Sequence, residues 1–173
     1  GGAWSFTGLD SSYAGKTVRE VLPSGYIQTL GNSGYNIIGT SGADQTGLNF
    51  ANFDLFDLSG TKFNDLNGDG LITANEPGLA GVTIFIDSDD VSGFSSGDRS
   101  TVTGAGGAWS FTGLDSSYAG KTVREVLPSG YIQTLGNSGY NIIGTSGADQ
   151  TGLNFANFDL FDLSGTKFND LNG

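Results

Sequence analysis

The sequence predicts an all-β fold made of repeated β-sandwich domains. Short runs of alternating apolar and polar residues, rich in β-branched and aromatic side chains, are typical of strands that bury one face. Thirty glycines and many Ser, Thr, Asn and Asp residues separate these runs at turns. The three-to-four apolar spacing of an amphipathic helix is missing almost everywhere. Together these patterns favour two packed sheets.

An internal repeat divides the chain. Gly1–Gly68 recurs without a change as Gly106–Gly173, which sets a period of 105 residues. Neither end coincides with a natural boundary, so we interpret the chain as a window on a longer array. We expect the C-terminal part of one repeat at 1–56, a complete repeat at 57–161 and the start of the next at 162–173. A repeat of this length can bury its own core.

Eight strands are predicted within the complete repeat. Their expected ranges are 58–63, 82–87, 99–103, 108–112, 121–126, 130–135, 140–143 and 152–161. On the second strand, Val82, Ile84 and Ile86 should face one side of the sheet and the alternate residues the other. Trp109 and Phe111 alternate in the same way, and we expect both in the core.

The twelve residues 65–76 match a calcium-binding loop that joins the first two strands. Side-chain oxygens stand at positions one, three and five, a glycine at six and a glutamate at twelve. The predicted ligands are Asp65, Asn67, Asp69, the backbone carbonyl of Leu71, and Glu76. An ordinary Asn-Gly and Asp-Gly turn would explain the glycines but not the glutamate at its distance. Strand-like flanks, with Pro77 directly after the loop, argue against an EF-hand with helices on both sides.

Two further acidic segments resemble this loop in part. Asp87, Asp89 and Asp98 occupy positions one, three and twelve of a second frame, but position five is Val91. A weaker calcium site and an ordinary acidic loop both remain open, and the repulsion between neighbouring carboxylates favours metal. In the next copy, the first loop begins again; its ligands within the sequence are Asp170 and Asn172.

A third candidate site contains no metal. Glu125, which recurs as Glu20, stands near a basic residue on a predicted strand, as surface cross-strand partners do. The alternative is chemical: a buried glutamate can promote an amide bond between a lysine and an asparagine. The available partners are Lys62 on the first strand and Asn157 near the last. This isopeptide hypothesis requires Glu125 to be buried and paired.

Charge and composition exclude several classes of function. The net charge of −11 disfavours nucleic acid and anionic membranes as partners and favours divalent cations. The chain contains neither cysteine nor histidine, and its acidic residues are accounted for by the metal loops, so we do not expect an enzyme. Calcium loops of low affinity suit an extracellular location.

The joint between copies predicts stiff coupling. The segment 52–60 lacks a run of Pro, Gly and Ser, and its apolar residues are closely spaced. Such a segment is typical of a strand that passes directly from one repeat to the next rather than of a flexible tether.

These residues resemble the calcium-binding SdrD-B-like repeats of bacterial surface proteins, which are related to collagen-adhesin B (Cna-B) domains. The matching stretches cover the whole repeat in order: 59–70, 76–82, 109–114, 123–131 and 151–155. The resemblance implies an Ig-like or prealbumin-like Greek-key sandwich, calcium bound by the loop at 65–76, and use as a stalk. Many relatives have a regular second loop where this chain has Val91. Relatives with an isopeptide bond carry lysine and asparagine on comparable strands, whereas the calcium-type repeats generally lack the bond.

Two functions follow as expectations. The first is structural: a tandem array stiffened by Ca²⁺ that forms an extracellular stalk or fibre. Its partners would be neighbouring identical repeats and, in a fibre, other chains. The second is an adhesive module whose loops or sheet faces bind a matrix, host or carbohydrate ligand. An exposed aromatic patch on the folded repeat would support this second function.

Overall fold

The computed structural model describes residues 2–89, 91 and 93–173. The first copy contributes four short strands: β1 (Thr17–Val18), β2 (Tyr26–Leu30), β3 (Tyr35–Asn36) and β4 (Ala51–Asp54). β1 pairs with β3 and β2 with β4, both antiparallel. A 3-10 turn, Ser11–Tyr13, precedes β1.

The complete repeat is a sandwich of two four-stranded sheets. Its strands are β5 (Phe56–Asn64), β6 (Thr83–Asp87), β7 (Arg99–Val102), β8 (Ala108–Leu114), β9 (Thr122–Glu125), β10 (Tyr131–Leu135), β11 (Tyr140–Asn141) and β12 (Phe155–Asp159). One sheet has the order β10-β12-β5-β8 and the other β11-β9-β6-β7. All neighbours are antiparallel except β12 and β5, the last and first strands, which run parallel. The predicted all-β sandwich is confirmed, and 3-10 turns at Ala105–Gly107 and Ser116–Tyr118 complete its described part.

The eight predicted strands are all present, but the last two are shorter than expected. Backbone pairing continues past the end of β11, where the N–H of Ile142 donates to the Lys121 carbonyl at 2.8 Å. The Gln150 side chain also binds this segment: its Oε1 accepts the N–H of Ile143 at 2.7 Å, and its Nε2 donates to the carbonyl of Asn141 at 3.2 Å. Before β12, the side chain of Asn154 accepts the N–H of Thr61 at 2.9 Å. Side chains thus add to the backbone pairing at the ends of these two strands.

The core lies between the two sheets. Its buried apolar side chains come from both: Phe56, Leu58, Val82, Ile84, Ile86, Trp109, Phe111, Leu114, Val123, Ile142 and Phe155. The prediction for β6 is right about the inward face, but the opposite face is buried as well. Phe85 is only 2% exposed because the ring of Phe94 packs against it, with 5.4 Å between the centroids.

A single residue, Leu55, separates the last strand of the first copy from β5. The loop 145–150 of the complete repeat binds the backbone on both sides of this joint. At Asp54, the N–H donates to Ser146 Oγ at 2.9 Å and the carbonyl accepts the N–H of Gly147 at 2.9 Å. At Asp57, the N–H donates to Asp149 Oδ1 at 2.7 Å. The joint therefore has fixed partners within the following repeat.

Candidate metal and crosslinking sites

The first acidic loop begins where β5 ends and brings its carboxylates together. Carboxylate oxygens of Asp65, Asp69 and Glu76 lie within 4.8 Å of one another. Asp65 is fully buried and Glu76 is 8% exposed. Asn67 Oδ1 accepts the N–H of Asp69 at 3.1 Å, so this amide lies in the same turn. The side chain of Leu71 is exposed and has no oxygen, so only its backbone carbonyl could bind a metal ion.

Backbone N–H groups of the loop hold Asp65 in place. Its Oδ1 accepts from Gly68 at 2.7 Å and its Oδ2 from Gly70 at 2.9 Å. Burial by itself raises the pKa of Asp65. Hydrogen bonds with Thr134, Gly70, Gly68 and Glu76 lower the pKa by more than burial raises it, so the net shift is downward. Asp65 is therefore a carboxylate at neutral pH despite its burial.

The donor set fits a hard divalent cation. Carboxylate, amide and carbonyl oxygens are the ligands that Ca²⁺ takes in proteins. In the described part of the chain, neither recorded ion pair involves Asp65, Asp69 or Glu76. Gly70, with φ +73°, lies so close to β10 that a Cβ would come within 2.9 Å of the Thr134 carbonyl. Sequence reasoning missed Thr134, because only the order of the strands reveals that β10 faces the loop.

The second acidic cluster is also assembled, but protein cations already neighbour it. Carboxylate oxygens of Asp87, Asp89 and Asp98 lie within 4.8 Å of one another. The Nε of Arg124 lies 3.0 Å from Asp87 Oδ2. Backbone N–H donation from Ser88 is the main cause of the lowered pKa of Asp98. Position five, Val91, is 60% exposed and contributes no side-chain oxygen.

The truncated third loop lies at the exposed end of the chain. The N–H of Asn172 donates to Asp170 Oδ1 at 3.1 Å, which is a local Asx turn. The remaining ligand positions of that loop are not part of the sequence.

The lysine, glutamate and asparagine of the crosslink hypothesis meet inside the sandwich. Lys62 and Asn157 are fully buried on the parallel neighbours β5 and β12, and Lys62 pairs in register with Phe155, two residues before Asn157. Glu125 projects from β9 in the opposite sheet with its side chain 1% exposed, and its Oε2 lies 3.0 Å from Lys62 Nζ. The surface reading of Glu125 is thus wrong, because the strand order places it between the sheets.

Burial shifts the pKa values of this pair in opposite directions. Burial lowers the pKa of Lys62 to about 8, although the Glu125 carboxylate opposes that shift. Burial also raises the pKa of Glu125, against the influence of Lys62 and of a hydrogen bond with Asn157. Among the described residues, Lys62 Nζ and both amide atoms of Asn157 have no hydrogen bond of good geometry. A buried amine beside a carboxyl group, with few hydrogen bonds of good geometry, is uncommon in a protein core.

The first copy repeats half of this arrangement. Asn52 and Glu20 are the counterparts of Asn157 and Glu125, and Asn52 Nδ2 donates to Glu20 Oε1 at 2.6 Å. In the complete repeat, Asn157 lies close enough to Glu125 to influence its pKa, but the hydrogen bond of good geometry is found in the first copy.

The SdrD B-like domain model matches residues 56–169. The chain belongs to this family. SdrD B-like domains are repeats of bacterial cell-surface proteins, which places the chain outside the cell. Within the described residues, no helix is long and apolar enough to cross a membrane.

Staphylococcal proteins are among the relatives. Serine-aspartate repeat-containing protein F of Staphylococcus epidermidis is 31% identical over 165 residues, which are 88% of this chain and 10% of that protein. The bone sialoprotein-binding protein of Staphylococcus aureus is 29% identical over 164 residues, which are 88% of this chain and 14% of that protein. The chain thus spans a small part of the length of these relatives.

Proposed function

We propose that this SdrD B-like chain is a structural spacer, a length of stiff shaft that carries other parts of a surface protein away from the cell. The observation that carries this proposal is the joint between copies. One residue links β4 to β5, and the loop 145–150 binds the backbone of Asp54 and Asp57. A tether that allowed free rotation would need a longer, polar linker. The role is mechanical support rather than enzymatic turnover.

Calcium is the cofactor that we assign to the loop at 65–76. Asp65, Asp69 and Glu76 converge and form no ion pair among the described residues, although Asp65 lies near enough to the Lys62 amine to raise its pKa. A divalent cation would relieve the repulsion that remains. An ion that binds only the folded chain raises the free energy of unfolding. Extracellular calcium modules bind with Kd on the order of 10⁻⁴–10⁻³ M. For the cluster around Asp87 we propose weaker binding, since Arg124 already balances part of its charge.

An isopeptide bond between Lys62 and Asn157 is the second stabilising element that we propose. The neutral amine of Lys62, after passing a proton to Glu125, attacks Asn157 Cγ while Glu125 returns that proton to the amide oxygen. This attack forms the Nζ–Cγ bond. Glu125 then takes one proton from Nζ and gives it to Nδ2, which leaves as ammonia when the Cγ–Nδ2 bond breaks. The proton on the oxygen returns to Glu125 as the carbonyl re-forms, and Nζ keeps one hydrogen, so atoms and charge balance. The contact between Glu125 and Lys62, and the unsatisfied amide of Asn157, support this step.

Small-angle scattering on a protein of two or three complete copies tests the shaft. In saturating calcium, the expected result is a narrow distribution of end-to-end distances. Inserting a Gly/Ser linker at Leu55 is the matched control, because it lengthens the joint and leaves each repeat unchanged. Equally broad distributions for both proteins would refute the shaft.

Ligand binding is a second candidate function with one observation in its favour. A cleft beside β9 is lined by the aromatic rings of Phe85 and Phe94 together with Leu127, Gln133 and Asn137. Because one relative is named bone sialoprotein-binding protein, immobilised bone sialoprotein is a suitable probe. Binding by the chain that is lost in Phe94→Ala would support this function, and failure of the unchanged chain to bind would argue against this ligand.

A further inference from the structure

We propose that the calcium loop positions the crosslink, so that metal binding accelerates formation of the bond between Lys62 and Asn157. The proposal rests on the crosslink and the calcium site proposed above and concerns how one regulates the other. It gives Asp65 a second role as a positioning residue.

A single hydrogen bond joins the metal loop to the crosslinking asparagine. The N–H of Asp65 donates to the backbone carbonyl of Asn157 at 2.8 Å. Both side chains are fully buried. Since Asp65 is also the first predicted metal ligand, any displacement of its backbone moves the partner that holds Asn157.

The exit of the loop holds the lysine side of the reaction. Directly after Glu76, the Pro77 carbonyl accepts the N–H of Asn64 at 2.8 Å, and two residues further on the N–H of Leu79 donates to the carbonyl of Lys62 at 2.7 Å. A closed loop therefore fixes the backbone of the nucleophile as well as that of the amide.

The loop also covers the strands that carry Asn157. A Cβ on Gly70 would lie 2.9 Å from the Thr134 carbonyl of β10, and one on Gly68 would lie 3.3 Å from the ring of Phe158 on β12. β10 pairs with β12, and in this pairing Gln133 lies opposite Asn157. The loop is thus in contact with the end of the sheet where the reacting amide lies.

Repulsion links these contacts to the metal. Without a cation, the carboxylates of Asp65, Asp69 and Glu76 within 4.8 Å of one another favour an open loop. Opening weakens the contacts to Lys62 and Asn157 without unfolding the core. Reactions between oriented groups are sensitive to position, and a displacement of about 1 Å can slow them about 100-fold. We expect calcium to accelerate the crosslink by at least about tenfold, a smaller factor because the open loop retains part of the geometry.

The test follows ammonia loss in the full chain. The chain is purified in urea, its unreacted mass is confirmed, and it is diluted into buffer with calcium or with a chelator. Intact mass then reports the loss of one ammonia over time, and circular dichroism reports the folded fraction. An osmolyte keeps the metal-free chain folded. Faster loss with calcium at equal folded fraction is expected.

Three variants separate the possible failures. Glu76→Gln should react slowly even with calcium, Asp162→Asn at an exposed position outside both acidic clusters should react like the unchanged chain, and Glu125→Gln should not react at all. Equal rates with calcium and chelator would overturn the coupling and leave the crosslink intact. No loss of ammonia under either condition would overturn the crosslink itself, and the coupling with it.

A second measurement compares equilibrium calcium binding instead of reaction rates. The closed loop that contacts the backbones of Lys62 and Asn157 is the conformation that binds calcium, and the bond holds the same two backbones in place. The crosslinked chain should therefore bind calcium more tightly than the uncrosslinked Glu125→Gln chain. Calorimetry on the two proteins measures the ratio of their Kd values, which we expect to be at least about threefold, a modest coupling by the usual range. Equal Kd values would contradict the proposal.

Discussion

Lys62 illustrates how a strand pattern can reveal a buried amine. It shares its parity with Phe56 and Leu58 on β5, and all three are fully buried. The alternation alone therefore places the amine in the core. Its partner could not be predicted in this way, because the contact with Glu125 depends on how the two sheets are stacked.

The pH dependence of crosslinking tests the role of Glu125. The reactive state carries one proton in the pair, on the glutamate, with Lys62 neutral. Below the raised pKa of Glu125 both groups are protonated, and above the Lys62 pKa of about 8 neither is. The rate of ammonia loss should therefore be bell-shaped, falling about tenfold for each further pH unit on the alkaline side. A rate that rises to pH 8 and stays constant above it would show that Glu125 gives no proton to the amide.

The two acidic clusters should respond differently to the loss of one charge. Asp65→Asn removes the buried ligand of the first loop and should abolish the rise in melting temperature that calcium produces. Asp87→Asn changes a carboxylate that already has Arg124 at 3.0 Å and should leave most of that rise intact. Thermal unfolding with calcium and with chelator measures both. Equal losses in the two variants would mean that the second cluster is an equal calcium site.

At the scale of elements, the sequence predicts strands better than it predicts their contacts. All eight strands of the complete repeat follow from alternation and turn residues. The hydrogen bonds between loop 145–150 and the joint do not follow from the sequence. They are formed largely by backbone groups and by side chains such as Ser146, which are common in loops of any kind. The hydrogen bonds of the Gln150 side chain with the segment after β11 are likewise not revealed by any periodicity.

Gly147→Ala should loosen the joint. Gly147 has φ +66°, and a Cβ there would lie 2.7 Å from Asp54 Oδ2. Gly152→Ala is the matched control, because its φ is +70° and nothing lies within 4 Å of the added Cβ. Both variants carry backbone strain of about 1 kcal/mol, but only Gly147→Ala should broaden the scattering distribution of a two-copy protein. The same broadening in both variants would assign it to strain alone.

At the scale of the whole molecule, the identical copies predict that the same joint recurs between successive repeats. A period of 105 residues means that every repeat presents the same surface to the next. The strand content and the existence of a tandem array follow from the sequence. The contacts at the joint do not, because Asp54 and Asp57 bind a loop that lies 92 residues further along the chain.

Whether separate chains assemble into a fibre is tested by electron microscopy of a purified multi-copy protein with calcium. Repeated identical surfaces permit end-to-end contacts that propagate without closing. The net charge of −11 opposes lateral contact, and bound calcium reduces that repulsion. Fibres longer than one chain in calcium, and single strands in chelator, are the expected images. Thin strands whose length follows the number of copies would restrict the assembly to one chain.

The parallel pairing of β5 and β12 has a mechanical consequence. Because the first and last strands run in the same direction, the chain enters the repeat at one end of this pair and leaves it at the other. Tension applied along the shaft therefore shears the two strands past each other and loads their hydrogen bonds together instead of one by one. With Lys62 joined to Asn157, the force would pass from β5 directly into β12, and residues 63–156 would carry none of it. Each repeat would then be an inextensible link, able to hold a cell against flow without unfolding.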